Sequence, residues 1–225
     1  MPVFKKVNTN FFKKWTSEMA YVLGFFAADG YITVNRRGGQ FWCIQIIDKA
    51  LLESIKNVVG SGHKISIVQR IKRFGERTAT YKICRLQIGS IEMCDDLRRL
   101  GMCERKTKSM SVPFVPQKYF HDFVRGYFDG DGNVWRGFHH KKRKTPTDVL
   151  RVCFTSSSRD FLKALQVGLE RYSVFGRLRC EKTYFRLYYS VQSSIFLSQL
   201  MYGKGSTLYL QRKKRIFDDF VKMRP

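Results

Sequence analysis

Acids are scarce in this chain. Eighteen Asp and Glu stand against forty-two Lys and Arg, a formal charge of +24 over 225 residues. That imbalance exceeds what an ordinary solvated surface carries and points to a polyanionic partner. Long apolar runs are also missing, and nothing approaches the roughly eighteen uncharged residues of a membrane span. The opening Met1-Pro2-Val3-Phe4-Lys5-Lys6 lacks the apolar stretch of a secretion signal. The expectation is an intracellular protein, not secreted, in cytoplasm or an organelle matrix. Six cysteines form no CxxC pair and no Cys/His cluster with zinc spacing. Cys43, Cys84, Cys153 and Cys180 fall in strand-like runs and read as small packing residues in a reducing compartment. No Ser/His/Asp arrangement and no glycine-rich nucleotide loop is present. An N-terminal Cys or Ser and a terminal His-Asn are absent, so a free-standing protein is expected rather than an intein insert.

What is there is a folded body. Apolar residues make up 44% and aromatics 15%, more than a disordered basic tail would hold. The central feature is a stretch that occurs twice. Val22-Leu23-Gly24-Phe25-Phe26-Ala27-Ala28-Asp29-Gly30 is matched by Val124-Arg125-Gly126-Tyr127-Phe128-Asp129-Gly130-Asp131-Gly132. In each copy a glycine and a small residue stand four apart and share a helix face. A face without bulk lets another backbone approach closely. Each acid falls at a helix C-terminus, where the dipole is already negative, so two such ends side by side call for a cation. The pattern predicts two packed helices delivering Asp29 and Asp131 to one metal-dependent site. Two ordinary core helices stopped by glycine would give the same pattern.

The rest of the chain repeats an order. After the first motif helix, 31–34 and 41–47 alternate as a hairpin around Arg36-Arg37-Gly38-Gly39. Leu51, Leu52, Ile55, Val58 and Val59 make a helical stripe ending at Gly60. Two more strands follow, with Ile65, Ile67 and Ile71 on the apolar face, and then a short helix closed by Gly101. From about Gln117 the same order recurs, with the second hairpin's tip in the basic run 139–144. The expectation is an α+β fold: two pseudo-twofold-related αββαββα repeats forming a saddle of antiparallel sheets with helices on the outer face. The predicted divisions are 1–103, a linker at 104–116, and 117–225.

Each strand has one apolar and one basic or polar face. A ribbon of that kind fits the DNA major groove, where Arg and Gln read guanine and adenine edges. The base-contact candidates are Gln45, Arg70, Lys72, Arg85 and Gln87 in the first half. In the second they are Arg151, Arg177, Arg179 and Arg186. At the hairpin tips, Arg36, Arg37, Lys141 and Lys142 are placed to grip phosphates, with a nuclear address as the other reading of the second run.

The two nonamers resemble the LAGLIDADG motif of homing endonucleases, at the first glycine, the last acid and the final glycine of each copy. The first copy departs where Ala27 stands in place of an acid. The resemblance implies a monomeric, site-specific double-strand DNA endonuclease that cuts across the minor groove, leaves short 3′ overhangs and promotes intron mobility. It implies Asp29 and Asp131 as metal ligands, aided by the carbonyls of Ala28 and Gly130, with Mg²⁺ as the expected cation for oxygen-only ligation. It further implies catalytic lysines at Lys106 and Lys213, and a solvent-orienting polar residue, often Gln, at the end of the second strand of each repeat, a position assigned to Asp48 and Ser156, neither of them Gln. The partner is double-stranded DNA. An intron-RNA splicing maturase and a non-cleaving DNA-binding protein are the alternatives on the same scaffold.

Overall fold

The computed structural model describes residues 5–75, 77–102, 110–140, 142, 144–203 and 205–223, with backbone alone at 73, 74 and 77. The first repeat runs α1 (Ser17–Asp29), β1 (Gly30–Val34), β2 (Gln40–Ile46), α2 (Lys49–Val58), β3 (Ser66–Phe74), β4 (Arg77–Gly89) and α3 (Ile91–Arg99). The second runs α4 (Phe120–Asp131), β5 (Gly132–His139), β6 (Thr147–Ser156), α5 (Arg159–Glu170), β7 (Gly176–Cys180), β8 (Phe185–Tyr189) and α6 (Val191–Tyr202). One further helix, α7 (Gln211–Lys222), has no counterpart in the predicted repeat. Among the described residues no helix is long and apolar enough to cross a membrane.

Local chemistry sets the boundaries. Thr16, Asp48, Ser90, Ser158 and Ser190 each accept a hydrogen bond from the backbone N–H three residues on, capping α1, α2, α3, α5 and α6. Gly60 and Gly101 adopt positive φ just beyond α2 and α3. Pro116 precedes a short 3-10 turn over Gln117–Tyr119, and α4 proper begins at Phe120.

Two four-stranded antiparallel sheets result, in the orders β1-β2-β4-β3 and β5-β6-β8-β7. Trp42, Ile44, Leu86 and Ile88 in one, and Leu150, Val152, Phe154 and Leu187 in the other, point into a core covered by helices. That core is continuous through both repeats. Phe11 and Phe12 of the N-terminal segment are part of it. Two expectations need correction. Ile67 and Ile71 lie on the helix-side face yet are 58% and 69% exposed, because the edge strand β3 lies outside the cover of two short helices. Cys180 is exposed at the end of edge strand β7 rather than packed.

At the centre, α1 packs along α4. Every residue of α1 from Met19 to Ala27 is buried, as befits a helix that is apolar all round. The seam is lined by the spaced small residues. A Cβ added to Gly130 would stand 2.3 Å from the Cβ of Ala28, so only glycine fits there. Gly30 and Gly132 leave their helices in extended, not left-handed, backbone. Glycine is needed at both because the Phe26 and Phe128 rings lie 2.1 Å from where a Cβ would be.

Candidate active site

The seam brings the two helix C-termini together. Asp29, half-buried, ends α1, and Asp131, exposed, ends α4. The Asp29 Oδ2 lies 3.2 Å from the position a Cβ of Gly130 would take, so its carboxylate reaches the last turn of the opposite helix. Two other groups feel both acids. The buried Tyr127 hydroxyl donates to the Thr155 carbonyl at 2.9 Å. Burial drives its pKa upward first, then Asp131 and Asp29 add to the shift, against a hydrogen bond with Ser156. The second group is the Lys213 ammonium.

Lys213 comes from α7 and is 5% exposed. Its Nζ donates to the carbonyls of Phe128 (2.6 Å), Asp129 (2.9 Å), Gly130 (3.3 Å) and Gly132 (2.5 Å). These carbonyls cluster at the α4 terminus and the first residue of β5, and a cation there meets the negative end of the dipole. Burial pushes the ammonium down to about 8, while Asp129, Asp29 and Asp131 favour its charged form. The cation that paired helix ends call for is thus supplied, at α4, by the chain itself. The Gly130 carbonyl, expected to face a metal, also accepts from this lysine.

Asp129 turns inward from the same turn. Its Oδ2 accepts from the Tyr21 hydroxyl at 2.8 Å and the Leu210 N–H at 2.7 Å, and its Oδ1 from the Tyr202 hydroxyl at 3.0 Å. Burial raises its pKa, and the three donors and Lys213 oppose that shift. This buried carboxylate ties α1, α4 and α6 to the entry of α7, and so sets where Lys213 begins. Arg125 adds a second tie, donating to Asp122 Oδ1 at 2.6 Å and to the carbonyls of Met201 and Leu208 at 2.8 Å each. Neither role was anticipated from the sequence. The acid at the sixth motif position of the second copy, beside Ala27 in the first, was the available signal.

A cavity of about 700 Å³ opens beside Asp29, lined in part by Gln45, Asp48, Tyr81, Gly130 and Arg212. Asp48 spends its Oδ1 on the Leu51 N–H at the start of α2. Ser156 is buried, and its hydroxyl accepts from the Ser158 N–H at 3.1 Å. Gln45, singled out only for base contact, is the polar residue at the end of β2 and shares the cavity with Asp29. Lys106 and Lys141 lie outside the described residues.

The remaining candidates fall on the helix-free faces. Strand pairing puts Gln45, Arg70, Lys72, Arg85 and Gln87 on one such face. It puts Arg151, Arg177, Arg179 and Arg186 on the other. Aromatic and polar neighbours hold several of them: Gln45 donates to the Tyr31 hydroxyl at 2.7 Å, and Arg151 contacts His139 at 2.7 Å and lies over Trp135. Arg36, Arg37 and Lys142 are exposed at the hairpin tips. Among the described residues no three His, Cys, Asp or Glu side chains converge, so a metal here would rely on the two aspartates and backbone oxygens.

A family model described as a LAGLIDADG-like domain matches residues 16–100 and again 121–210. A probable translation initiation factor IF-2 of Thermococcus kodakarensis is 31% identical over 121 residues, 51% of this chain and 10% of that protein. The DNA-directed RNA polymerase subunit Rpo1C of Methanocaldococcus jannaschii is 25% identical over 159 residues, 70% of this chain and 16% of that protein. The chain therefore spans only a small part of these curated relatives. Among solved structures, the homing endonuclease I-WcaI bound to its DNA recognition sequence superposes with a TM-score of 0.61 at 13% identity, covering 92% of this chain and 90% of that one. I-DmoI in complex with DNA and Mn gives 0.53 at 14%, covering 88% and 100%. The same domain is thus matched in each half, the acid-tipped helices meet where its motif predicts, and the protein belongs to the LAGLIDADG family as a single chain carrying both motifs.

Proposed function

We propose that this protein is a monomeric, site-specific double-strand DNA endonuclease that hydrolyses one phosphodiester in each strand and leaves short 3′ overhangs. The observation that carries this reading is the placement of Asp29 and Asp131 at two helix ends packed against each other, in a protein whose two helix-free sheet faces bear Arg, Lys and Gln. The donors on offer are carboxylate and carbonyl oxygens, which suit a hard divalent cation such as Mg²⁺. Asp29 and Asp131 would hold it, with the Ala28 and Gly130 carbonyls nearby. When bound, it supplies activated water and stabilises charge on the phosphate.

The chain's own residues do the remaining work. The sheet faces and hairpin tips bind and orient the duplex through phosphates and base edges. Lys213 neutralises the α4 terminus and places positive charge beside both carboxylates, where a phosphate would develop charge. Lys106 is assigned the matching role in the first half. Gln45 and Asp48 on one side, and Ser156 on the other, orient solvent. A cut of this kind supports mobility of the intron or insertion that encodes the protein, inside the cell.

The test is selection of cleaved duplexes from a random DNA library with Mg²⁺. Cleavage should vanish with EDTA and in Asp29→Asn or Asp131→Asn, while binding persists. Binding of RNA alone would make the protein a maturase, and sequence-specific DNA binding without cleavage would make it a regulator.

A further inference from the structure

The helix-free faces of the two repeats have diverged almost everywhere, and the exceptions are informative. Gly30 pairs with Ile44 and Gly132 with Phe154, which aligns β2 with β6 residue by residue. Gln45 then pairs with Arg85, and its counterpart Thr155 with Arg186. The two arginines occupy the same place in the two sheets, as do Cys43 and Cys153. Around them Gln87 stands where the second repeat has Tyr188, Ser66 where it has Arg179, and Tyr31 where it has Asn133.

Their surroundings also set these two arginines apart. Arg70, Arg151, Arg177 and Arg179 are exposed, whereas Arg85 and Arg186 are half-buried, and the Nε of each is shielded from solvent with no hydrogen-bond partner. A tyrosine hydroxyl lies beside each guanidinium. The Tyr31 hydroxyl, held by Gln45 at 2.7 Å, lies close enough to Arg85 to feel its charge, and Arg186 donates to Tyr188 at 3.2 Å while lying over the Tyr184 ring. The neighbouring thiols do not neutralise them, since burial pushes both Cys43 and Cys153 up. Each guanidinium is therefore a charged, pre-oriented fork on the face offered to a duplex, which lowers the ordering cost of recognition.

We propose that Arg85 and Arg186 are specificity-determining residues that each read one guanine, on opposite strands and at equal distances from the centre of the target site. This rests on the DNA-endonuclease reading above. An arginine fork matches the O6 and N7 acceptors of guanine in the major groove. Because the neighbouring positions differ between the repeats, this inverted guanine pair is the symmetric element of an otherwise asymmetric site.

The experiment is binding selection from random-sequence duplexes, in the absence of divalent metal, with wild type, Arg85→Gln and Arg186→Gln. Wild type should enrich a site with guanines equidistant from its centre. Replacing either guanine by adenine should weaken wild-type binding by about 5- to 150-fold. Arg85→Gln should change the preference from guanine to adenine at one of these positions, and Arg186→Gln at the other. An enriched site whose base preferences both variants leave intact overturns the proposal, as do altered positions at unequal distances from the centre. Failure of wild type to enrich any sequence removes the DNA-binding reading itself. If the glutamine variants do not fold, Arg85→Lys and Arg186→Lys carry the same test. They keep the charge and lose the fork, so guanine preference should drop at the matching position, and an unchanged preference overturns the assignment.

Discussion

Gly24 and Gly126 answer each other across the α1–α4 seam. A Cβ on Gly24 would stand 2.0 Å from the carbonyl oxygen of Phe123, and a Cβ on Gly126 2.0 Å from that of Tyr21. Both obstacles are helix backbone and cannot swing aside. Gly24→Ala or Gly126→Ala should therefore destabilise the fold by about 3 kcal/mol, at the upper end of overpacking costs. Urea unfolding of the free protein measures this, and wild-type stability in either variant would mean the helices are not in backbone contact.

The Asp129 carboxylate gives a graded expectation. Tyr202→Phe removes one donor and should cost about 1 kcal/mol. Asp129→Ala strands two buried hydroxyls and the Leu210 N–H and should cost about 3 kcal/mol or more. Tyr21→Phe combined with Tyr202→Phe should deviate from additivity, because the two phenols share one acceptor.

Lys213 predicts a pH dependence whose sign follows from its lowered pKa. Below pH 8 folded and unfolded chains both hold the proton, and the folded chain holds it at a disadvantage. Between about 8 and the unfolded lysine value near 10.4, the unfolded chain binds the proton and the folded chain does not. Stability contributed by this group therefore rises with pH through that window. Relative to Lys213→Met, wild type should gain up to about 3 kcal/mol between roughly pH 7 and pH 10.5. Paired unfolding curves at the two pH values check it, and a constant difference would show the ammonium to be well solvated.

Duplex binding should weaken steeply with salt. If the sheet faces and hairpin tips neutralise six to ten phosphates, affinity falls by about 10³- to 10⁵-fold between 50 and 200 mM. Titration by fluorescence anisotropy across that range reads the slope. A shallow slope would place the interface away from the basic faces.

Much of this was legible in the sequence. The paired nonamers announced the seam and the two acids, because glycine spacing and acid position are local facts. Strand alternation correctly separated Arg85 and Gln87 from Leu86 and Ile88, since period two fixes the face. What stayed hidden was contact between distant segments. Lys213 reaches carbonyls 81 to 85 positions away, and Asp129 meets Tyr21 across 108. No local pattern marks a lysine that will cap another helix. Ile67 and Ile71 misled for a related reason: alternation tells which side of a sheet a residue faces, and says nothing of how far the covering helices extend.

The inward acid also bears on the protein's history. Tyr21 in the first motif corresponds to Phe123 in the second, and Asp129 to Ala27. A homodimer built from two copies of the C-terminal half would seat each Asp129 against a phenylalanine with no hydroxyl to offer. Two copies of the N-terminal half would present tyrosines with no carboxylate to meet. Tyr202 and the Leu210 N–H would still serve Asp129 there, but the acid–phenol pair that bridges the seam exists only because the two halves differ.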